Sequence, residues 1–297
     1  TDAAFEGFRL VRRNPMALLA WTGLYLIVAL VQIGAMAGMG SGLARMESVA
    51  ETLESSPPQS FQDMAPLFQA YGEMVGGMAW IFPLSLAVSV VLSAAVARGV
   101  LFPQTRATFG YVRLGMDELR VAIVMLAIFV LTLIICCVVF LLVGILGGLA
   151  VSMIDNGGWV VMVLLFLAAM AFIVWLTVRW SLAVPITVAE KRIAVFDSFA
   201  VTRGRFWPLL GMAIITGVMA LLVALLSMIV STPLTIMSGL GMATAGDDPA
   251  AIFAAYNYGN PWVLASALVN AVIGALMLGV LYAPFSAAYR GLKGEAA

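Results

Sequence analysis

The stretch TVRWSLAVPITVAEKRIAVFDSFAVTRGRFWPLLG, residues 177–211, lies between two long apolar runs and is rich in basic and aromatic residues. The first run ends in Arg179 and Trp180, and the second begins just after Arg205 and Trp207. Long basic side chains reach from a helix end to the lipid headgroups, and tryptophan rings are enriched at the same depth. The pattern therefore predicts a connection at a membrane surface, with a membrane-spanning helix on either side.

Composition places the whole chain in the class of multi-pass membrane proteins. Its 297 residues are 63% hydrophobic and 10% charged, and the mean hydropathy is +1.09. A soluble domain of this size has about 25% charged residues. The apolar run that follows Arg12 and Arg13 is too long for a signal peptide and lacks a clear cleavage site. We therefore expect this run to be retained as the first span.

Six apolar runs reach the length of about 20 residues that a helix needs to cross a bilayer. None shows the two-residue alternation of a barrel strand, so we expect helices. The approximate spans are residues 16–39, 77–97, 121–151, 159–178, 208–237 and 261–283. Asn14 and Asn260 each precede a proline, which is typical of a helix start. The predicted fold is all-α, with residues 1–297 forming a single polytopic membrane domain.

The distribution of lysine and arginine predicts which side of the membrane each loop faces. Of the 15 basic residues, all except Arg45 fall on the same side as the two termini. The opposite side collects acidic residues, among them Glu47, Asp155 and Asp247. Short cytosolic loops carry the excess of positive charge in membrane proteins. We therefore expect both termini in the cytosol.

A weak threefold pattern precedes the odd-numbered spans, and it pairs a phenylalanine with an arginine four residues later. The pairs are Phe5 with Arg9, Phe109 with Arg113, and Phe199 with Arg203. This spacing would place the ring and the guanidinium on one face of an amphipathic helix at the membrane surface. True repetition would give three helical hairpins. Shared interfacial composition is the alternative explanation.

Two of the loops on the acidic side carry apolar residues at helical spacing. The first lies between Arg45 and Val75, and the second runs from Asp247 to Tyr256. In each we expect a short helix that lies on the outer membrane surface. These helices would either cap the helix bundle or act as a lid or an entry gate.

Four short motifs carry a family resemblance. They are RWSLAVP at residues 179–185, Glu190, SFAVTRGRFWPLL at residues 198–210, and FRLVRRNP at residues 8–15. This set resembles the membrane domain attached to some bacterial glycerophosphodiester phosphodiesterases, and related uncharacterised six-span inner-membrane proteins. The resemblance covers nearly the whole chain, and it implies a six-helix integral domain in a bacterial inner membrane. The chain has no histidine and no phosphodiesterase barrel, so we do not expect the hydrolytic activity of that family.

The residue types present exclude most catalytic and metal sites. Without histidine there is no Ser-His-Asp triad, no Cys-His pair and no His-ligated metal. Cys136 and Cys137 are adjacent within the third span, where small apolar packing is the expected role. Asp117 and Glu118 lie between arginines in a surface segment, which predicts a solvated ion network rather than acid and base catalysis. We expect no enzyme activity, no cofactor and no metal.

Few polar residues lie within the predicted spans. Ser85, Ser89 and Ser93 recur every four residues in the second span, and Asn270 lies near the middle of the sixth. A stripe of small residues is typical of close helix packing, and an asparagine of a hydrogen bond between helices. The alternative is that these four residues line a cavity. No ionisable residue lies deep in a span, which disfavours proton-coupled transport.

The best candidate for a lipid headgroup site is the basic connection between the fourth and fifth spans. It contains Arg192, Arg203, Arg205 and Trp207. Guanidinium groups bind phosphate through two hydrogen bonds, while aromatic rings lie at the level of the glycerol groups. Simple anchoring of the chain at the membrane surface is the alternative.

The sequence therefore predicts a non-catalytic membrane protein that binds or handles membrane lipid or an amphipathic molecule. Membrane phospholipids are the expected partners, a homo-oligomer or a membrane-protein partner is left open, and nucleic acid is not expected. One alternative is a channel or facilitative carrier, with a hydrated cavity that reaches Asn270 or the serine stripe. The other is a scaffold or accessory subunit of a membrane complex, which would carry no solute.

Overall fold

The computed structural model describes residues 2–55, 60–103, 108–154, 157–239 and 256–294. Within these ranges the chain is 88% helix and has no strand. The helices are α1 Glu6–Arg13, α2 Pro15–Ser55, α3 Ala65–Met78, α4 Ile81–Leu101, α5 Met116–Met153, α6 Gly158–Trp180, α7 Ala183–Glu190, α8 Asp197–Val201, α9 Phe206–Met237 and α10 Pro261–Gly294. Short 3-10 helices occupy Asp2–Phe5, Phe61–Met64 and Thr108–Tyr111.

Six of these helices are long and apolar enough to cross a membrane, namely α2, α4, α5, α6, α9 and α10. They coincide with the six predicted apolar runs. Large apolar side chains such as Leu141, Leu164 and Ile229 are exposed along them. Soluble proteins rarely expose such extended apolar surface, whereas lipid is a suitable solvent for it. For the described residues, the prediction of an all-α fold with six helices long and apolar enough to cross a membrane is confirmed.

Several helix ends differ from the predicted spans: α5 begins at Met116 rather than residue 121, α10 continues to Gly294 rather than residue 283, and α2 and α4 also differ. Helix α2 continues to Ser55, well beyond the predicted end at residue 39, because the residues that follow are good helix formers such as Ala, Arg, Met and Glu. The second span begins at Ile81 rather than at residue 77, because α3 ends at Met78 and a turn follows. Helix α3 itself lies where the apolar spacing predicted a helix. The second predicted surface helix, at residues 247–256, lies outside the described residues apart from Tyr256.

The start of α10 shows the predicted asparagine cap. The Asn260 side-chain oxygen accepts a hydrogen bond from the Trp262 N–H at 3.1 Å. Its side-chain amide also donates to the Ser238 carbonyl at 2.8 Å, close to the end of α9. One side chain therefore satisfies an orphan donor at the start of one helix and an acceptor just after another.

The second copy of the threefold pattern is not helical in the way its spacing predicted. Phe109 and Tyr111 have φ values of 49° and 63°, on either side of Gly110 at 65°. The chain then runs without regular structure until α5, so Phe109 and Arg113 do not share a helix face. The prediction is wrong for this pair because a left-handed turn, which favours glycine, redirects the chain here.

The chain divides into two compact units. Unit 1 comprises Thr1–Leu10, Ser93–Val218 and Gly279–Ala297, and unit 2 comprises Val11–Leu92 and Met219–Leu278. The core of unit 1 is a cluster of buried residues from α6, α7, α9, α10 and the α7–α8 connection, including Leu182, Ile186 and Tyr289. Unit 2 has a smaller cluster around Ile33 and Val263. Unit 1 holds the cavities on which the functional proposals depend.

Candidate functional site

Arg192 follows the end of α7 and is held by two carboxylates, one at the end of α7 and one at the start of α8. Its guanidinium contacts Glu190 at 2.7 Å and Asp197 at 2.5 Å. The hydrogen bond to Glu190, together with the charge of Asp197, raises the pKa of Arg192 above its ordinary value. Glu190 also accepts a hydrogen bond from the Tyr289 hydroxyl at 2.9 Å. The charge of this predicted headgroup ligand is therefore already balanced within the protein.

The other three headgroup candidates are not brought to one place. Arg205 lines a cavity of about 290 Å³ together with Tyr289 and Lys293. Arg203 is exposed and does not line that cavity. Trp207 is 77% exposed and packs edge-on against Phe206, with ring centroids 5.5 Å apart. Arg203 and Trp207 are thus exposed at the surface, while Arg205 lines a separate cavity.

Arg179 makes its contacts within the protein. Its guanidinium donates to the Phe199 carbonyl and to the Thr202 hydroxyl, both at 3.2 Å. It also lies 5.3 Å from the centroid of the Trp175 ring, a distance suitable for a cation–π interaction. Ser198 donates back to the Arg179 carbonyl at 2.5 Å. Arg179 therefore ties the end of α6 to α8.

Ser93 of the serine stripe and Asn270 each contact a neighbouring helix. Ser93 is fully buried and its hydroxyl lies 3.5 Å from the Met125 sulfur, whereas Ser85 and Ser89 are half-buried. The Asn270 side-chain oxygen accepts a hydrogen bond from the Ser231 hydroxyl at 2.9 Å. Asn270 therefore bridges α9 and α10, which is the packing role considered for it.

A polar cleft of about 580 Å³ opens in unit 1 where α4 ends and α5 begins. One side is formed by Arg98 and Phe102, and the other by Val188, Ala189 and Lys191 from the end of α7. Tyr111 and residues 113–118, from the chain that leads into α5 and from its first turn, complete the wall. Cations and carboxylates both line this cleft.

Glu118 is not part of a solvated network, contrary to the sequence prediction. It is 6% exposed and forms an ion pair with Arg98, whose guanidinium also donates to the Tyr111 carbonyl at 2.9 Å. A left-handed turn at Phe109–Tyr111 lies between α4 and α5, the two helices that this ion pair joins. Asp117 does form the predicted surface pair, with Arg120 at 2.8 Å.

An apolar groove of about 480 Å³ follows along the same helices. It is lined by α5, α6, α7 and α10, with Phe129, Trp180, Pro185 and Phe285 among its walls. Trp180 is 7% exposed, and its indole N–H has no hydrogen-bond partner among the described residues. An edge-on contact with Phe199, at 6.0 Å between centroids, fixes the Trp180 ring.

The cleft and the groove use successive stretches of one pair of helices. The cleft takes residues 116–118 of α5 and 188–189 of α7, and the groove takes residues 125–132 of α5 and 184–185 of α7. At 1.5 Å per residue, the nearest lining positions on α5 are separated by about 10 Å along the helix axis. A charged cavity is thus followed by an apolar one within a short distance.

The sequence did not single out Arg98, Glu118 or Trp180 for these roles. Arg98 and Trp180 each had the ordinary signature of a residue at a helix end, and Glu118 had arginines as near neighbours. Opposite charges at the ends of two consecutive spans were the available signal for the ion pair. Compared with known proteins, the chain matches no family model, no curated protein and no solved structure.

Proposed function

We propose that this chain is a bacterial inner-membrane protein that binds membrane lipid or a similar amphipathic molecule in the apolar groove, without catalysing a reaction on it. The observation that carries the proposal is the buried indole N–H of Trp180, which has no partner among the described residues. A buried donor without a partner costs about 1–3 kcal/mol. Trp180 lines the groove, so a small shift of its ring on ligand binding would bring this N–H to an ester carbonyl of a bound lipid.

The shape and lining of the groove suit such a ligand. Its volume of about 480 Å³ is within the usual range of ligand pockets, about 300–1,000 Å³. Most of its lining is apolar, and the hydroxyl groups of Thr132, Tyr282 and Ser286 add a few polar positions. The groove lies among helices of membrane-spanning length, so an acyl chain would reach it from the bilayer.

One of the motifs that resemble phosphodiesterase-associated membrane domains also lies in the wall of this groove. Trp180, Val184 and Pro185 belong to the motif RWSLAVP and line the groove. We therefore propose that this motif, in any relative that shares it, forms one wall of a lipid groove. The proposal concerns the membrane domain alone, without phosphodiester hydrolysis.

Trp180→Phe is expected to reduce lipid retention by about 5-fold to 10-fold, because it removes one hydrogen-bond donor and keeps most of the ring. Native mass spectrometry of the protein extracted with its surrounding lipid measures this directly. Trp159→Phe is the matched control, since Trp159 is exposed at the opposite end of α6. Equal lipid occupancy in both variants and in the unaltered protein would contradict the groove proposal.

We also propose that both termini face the cytosol, because all the basic residues except Arg45 fall on the same side as the termini. In a background with Cys136→Ala and Cys137→Ala, we expect a membrane-impermeant maleimide to label Glu47→Cys in intact cells. Lys293→Cys should be labelled only after the membrane is permeabilised. Both positions are exposed in the structure, so accessibility to the reagent is decided by sidedness. The reverse labelling pattern would invert the topology.

A further inference from the structure

Two cations on opposite walls of the polar cleft have no counter-charge among the described residues. Arg113 comes from the segment that leads into α5, and Lys191 directly follows α7. Both are exposed, and within the described ranges neither side chain has a hydrogen-bond or ion-pair partner. The two residues are far apart in sequence and are brought to one cavity by the fold.

The remaining charges of the cleft are balanced within the protein. Arg98 is paired with Glu118, and Asp117 is paired with Arg120 at 2.8 Å. Among the described residues, these pairs leave the cleft with two positive charges that no carboxylate pairs, those of Arg113 and Lys191. A ligand with two negative charges would neutralise them, whereas a neutral or cationic ligand would not.

The backbone of the cleft also suits an anion. Helix α5 begins at Met116 after Gly115, which provides no side-chain cap for the first turn. The first N–H groups of a helix have no intrahelical partner and bind anions. Lys191 has a left-handed backbone, with φ at 52°, which places a non-glycine residue in a strained conformation at the edge of the cleft.

We infer that the polar cleft binds a phosphate group carrying two negative charges, with Arg113 and Lys191 as its ligands from opposite walls. This site is distinct from the apolar groove, and it does not depend on the groove holding lipid. A phosphate monoester or inorganic phosphate matches the two free charges and accepts hydrogen bonds from guanidinium, ammonium and backbone N–H groups. The phosphate belongs either to a soluble molecule or to the headgroup of a lipid whose chains occupy the neighbouring groove.

Two binding measurements on the detergent-solubilised full chain distinguish these sources. Titration calorimetry with inorganic phosphate tests a soluble ligand, and native mass spectrometry after exposure to phosphatidic acid or phosphatidylcholine tests a lipid headgroup. We expect the chain to bind inorganic phosphate, phosphatidic acid or both. In the mass spectra, phosphatidic acid should be retained in preference to phosphatidylcholine. Binding of phosphate alone assigns a soluble ligand, and binding of phosphatidic acid alone assigns a lipid headgroup.

The double variant Arg113→Gln and Lys191→Gln is expected to weaken that binding about 100-fold, because it removes two charge-assisted hydrogen bonds. The control is Arg12→Gln with Arg13→Gln, which makes the same change in net charge at two exposed positions that do not line the cleft. Neither pair is expected to change the melting temperature. The inference is overturned if neither ligand binds, or if both double variants weaken binding equally. Trp180→Phe should leave binding of inorganic phosphate unchanged, which separates this result from the groove proposal.

Discussion

Glu118→Ala is expected to lower the free energy of unfolding by about 3–5 kcal/mol, because it leaves the guanidinium of Arg98 buried without a counter-charge. The Arg98 side chain is 12% exposed and that of Glu118 is 7% exposed, so water screens the pair poorly. Arg98 would keep its hydrogen bond to the Tyr111 carbonyl, which cannot balance its charge. Equilibrium unfolding in a mild detergent measures the change.

Asp117→Ala is the matched control for this substitution. Asp117 precedes Glu118 in the same helical turn, and it pairs with Arg120 where both side chains are about 30% exposed. Exposed pairs of this kind contribute about 0.2–1 kcal/mol. The double variant Arg98→Met with Glu118→Leu should recover most of the lost stability, since no charge is then buried. Equal losses in Glu118→Ala and Asp117→Ala would mean that Glu118 is as solvated as the sequence pattern implied.

The six spans were predictable because few backbone structures are stable in the hydrocarbon core of a bilayer. Backbone N–H and C=O groups must be satisfied within the segment in lipid, so an apolar run of about 20 residues becomes a helix. The helix ends were less predictable, as α2 shows. Its last part, up to Ser55, is polar but has high helix propensity, and hydropathy carries no information about where such a helix stops.

The contacts that build the cavities were not predictable from local spacing. Glu118 lies two residues from Arg120 and 20 residues from Arg98, yet its partner is the distant one. The chain between the two partners contains the left-handed turn at Phe109–Tyr111, which the predicted helical pairing of Phe109 with Arg113 did not anticipate. The burial of Trp180 likewise depends on four helices meeting around one groove.

Gly7→Ala is expected to destabilise unit 1 by about 1–3 kcal/mol, although alanine is the better helix former. A Cβ atom on Gly7 would lie 2.5 Å from the Gly279 carbonyl oxygen and 2.8 Å from the Val280 Cα. These are backbone atoms of α10 and cannot turn aside as a flexible side chain would. Helix α1 would therefore have to move away from α10.

That movement would disturb a second contact beside the glycine. Glu6 is buried and lies 3.7 Å from the Arg290 guanidinium, which also donates to the Val100 carbonyl at 2.7 Å. The control is Gly291→Ala, because a Cβ atom there meets nothing within 4 Å and should stabilise the helix by about 0.5–1 kcal/mol. The two glycine-to-alanine changes should thus shift the melting temperature in opposite directions. An increase in the melting temperature of both variants would contradict this packing. It would show that α1 lies farther from α10 than the 2.5 Å between a Gly7 Cβ atom and the Gly279 carbonyl oxygen implies.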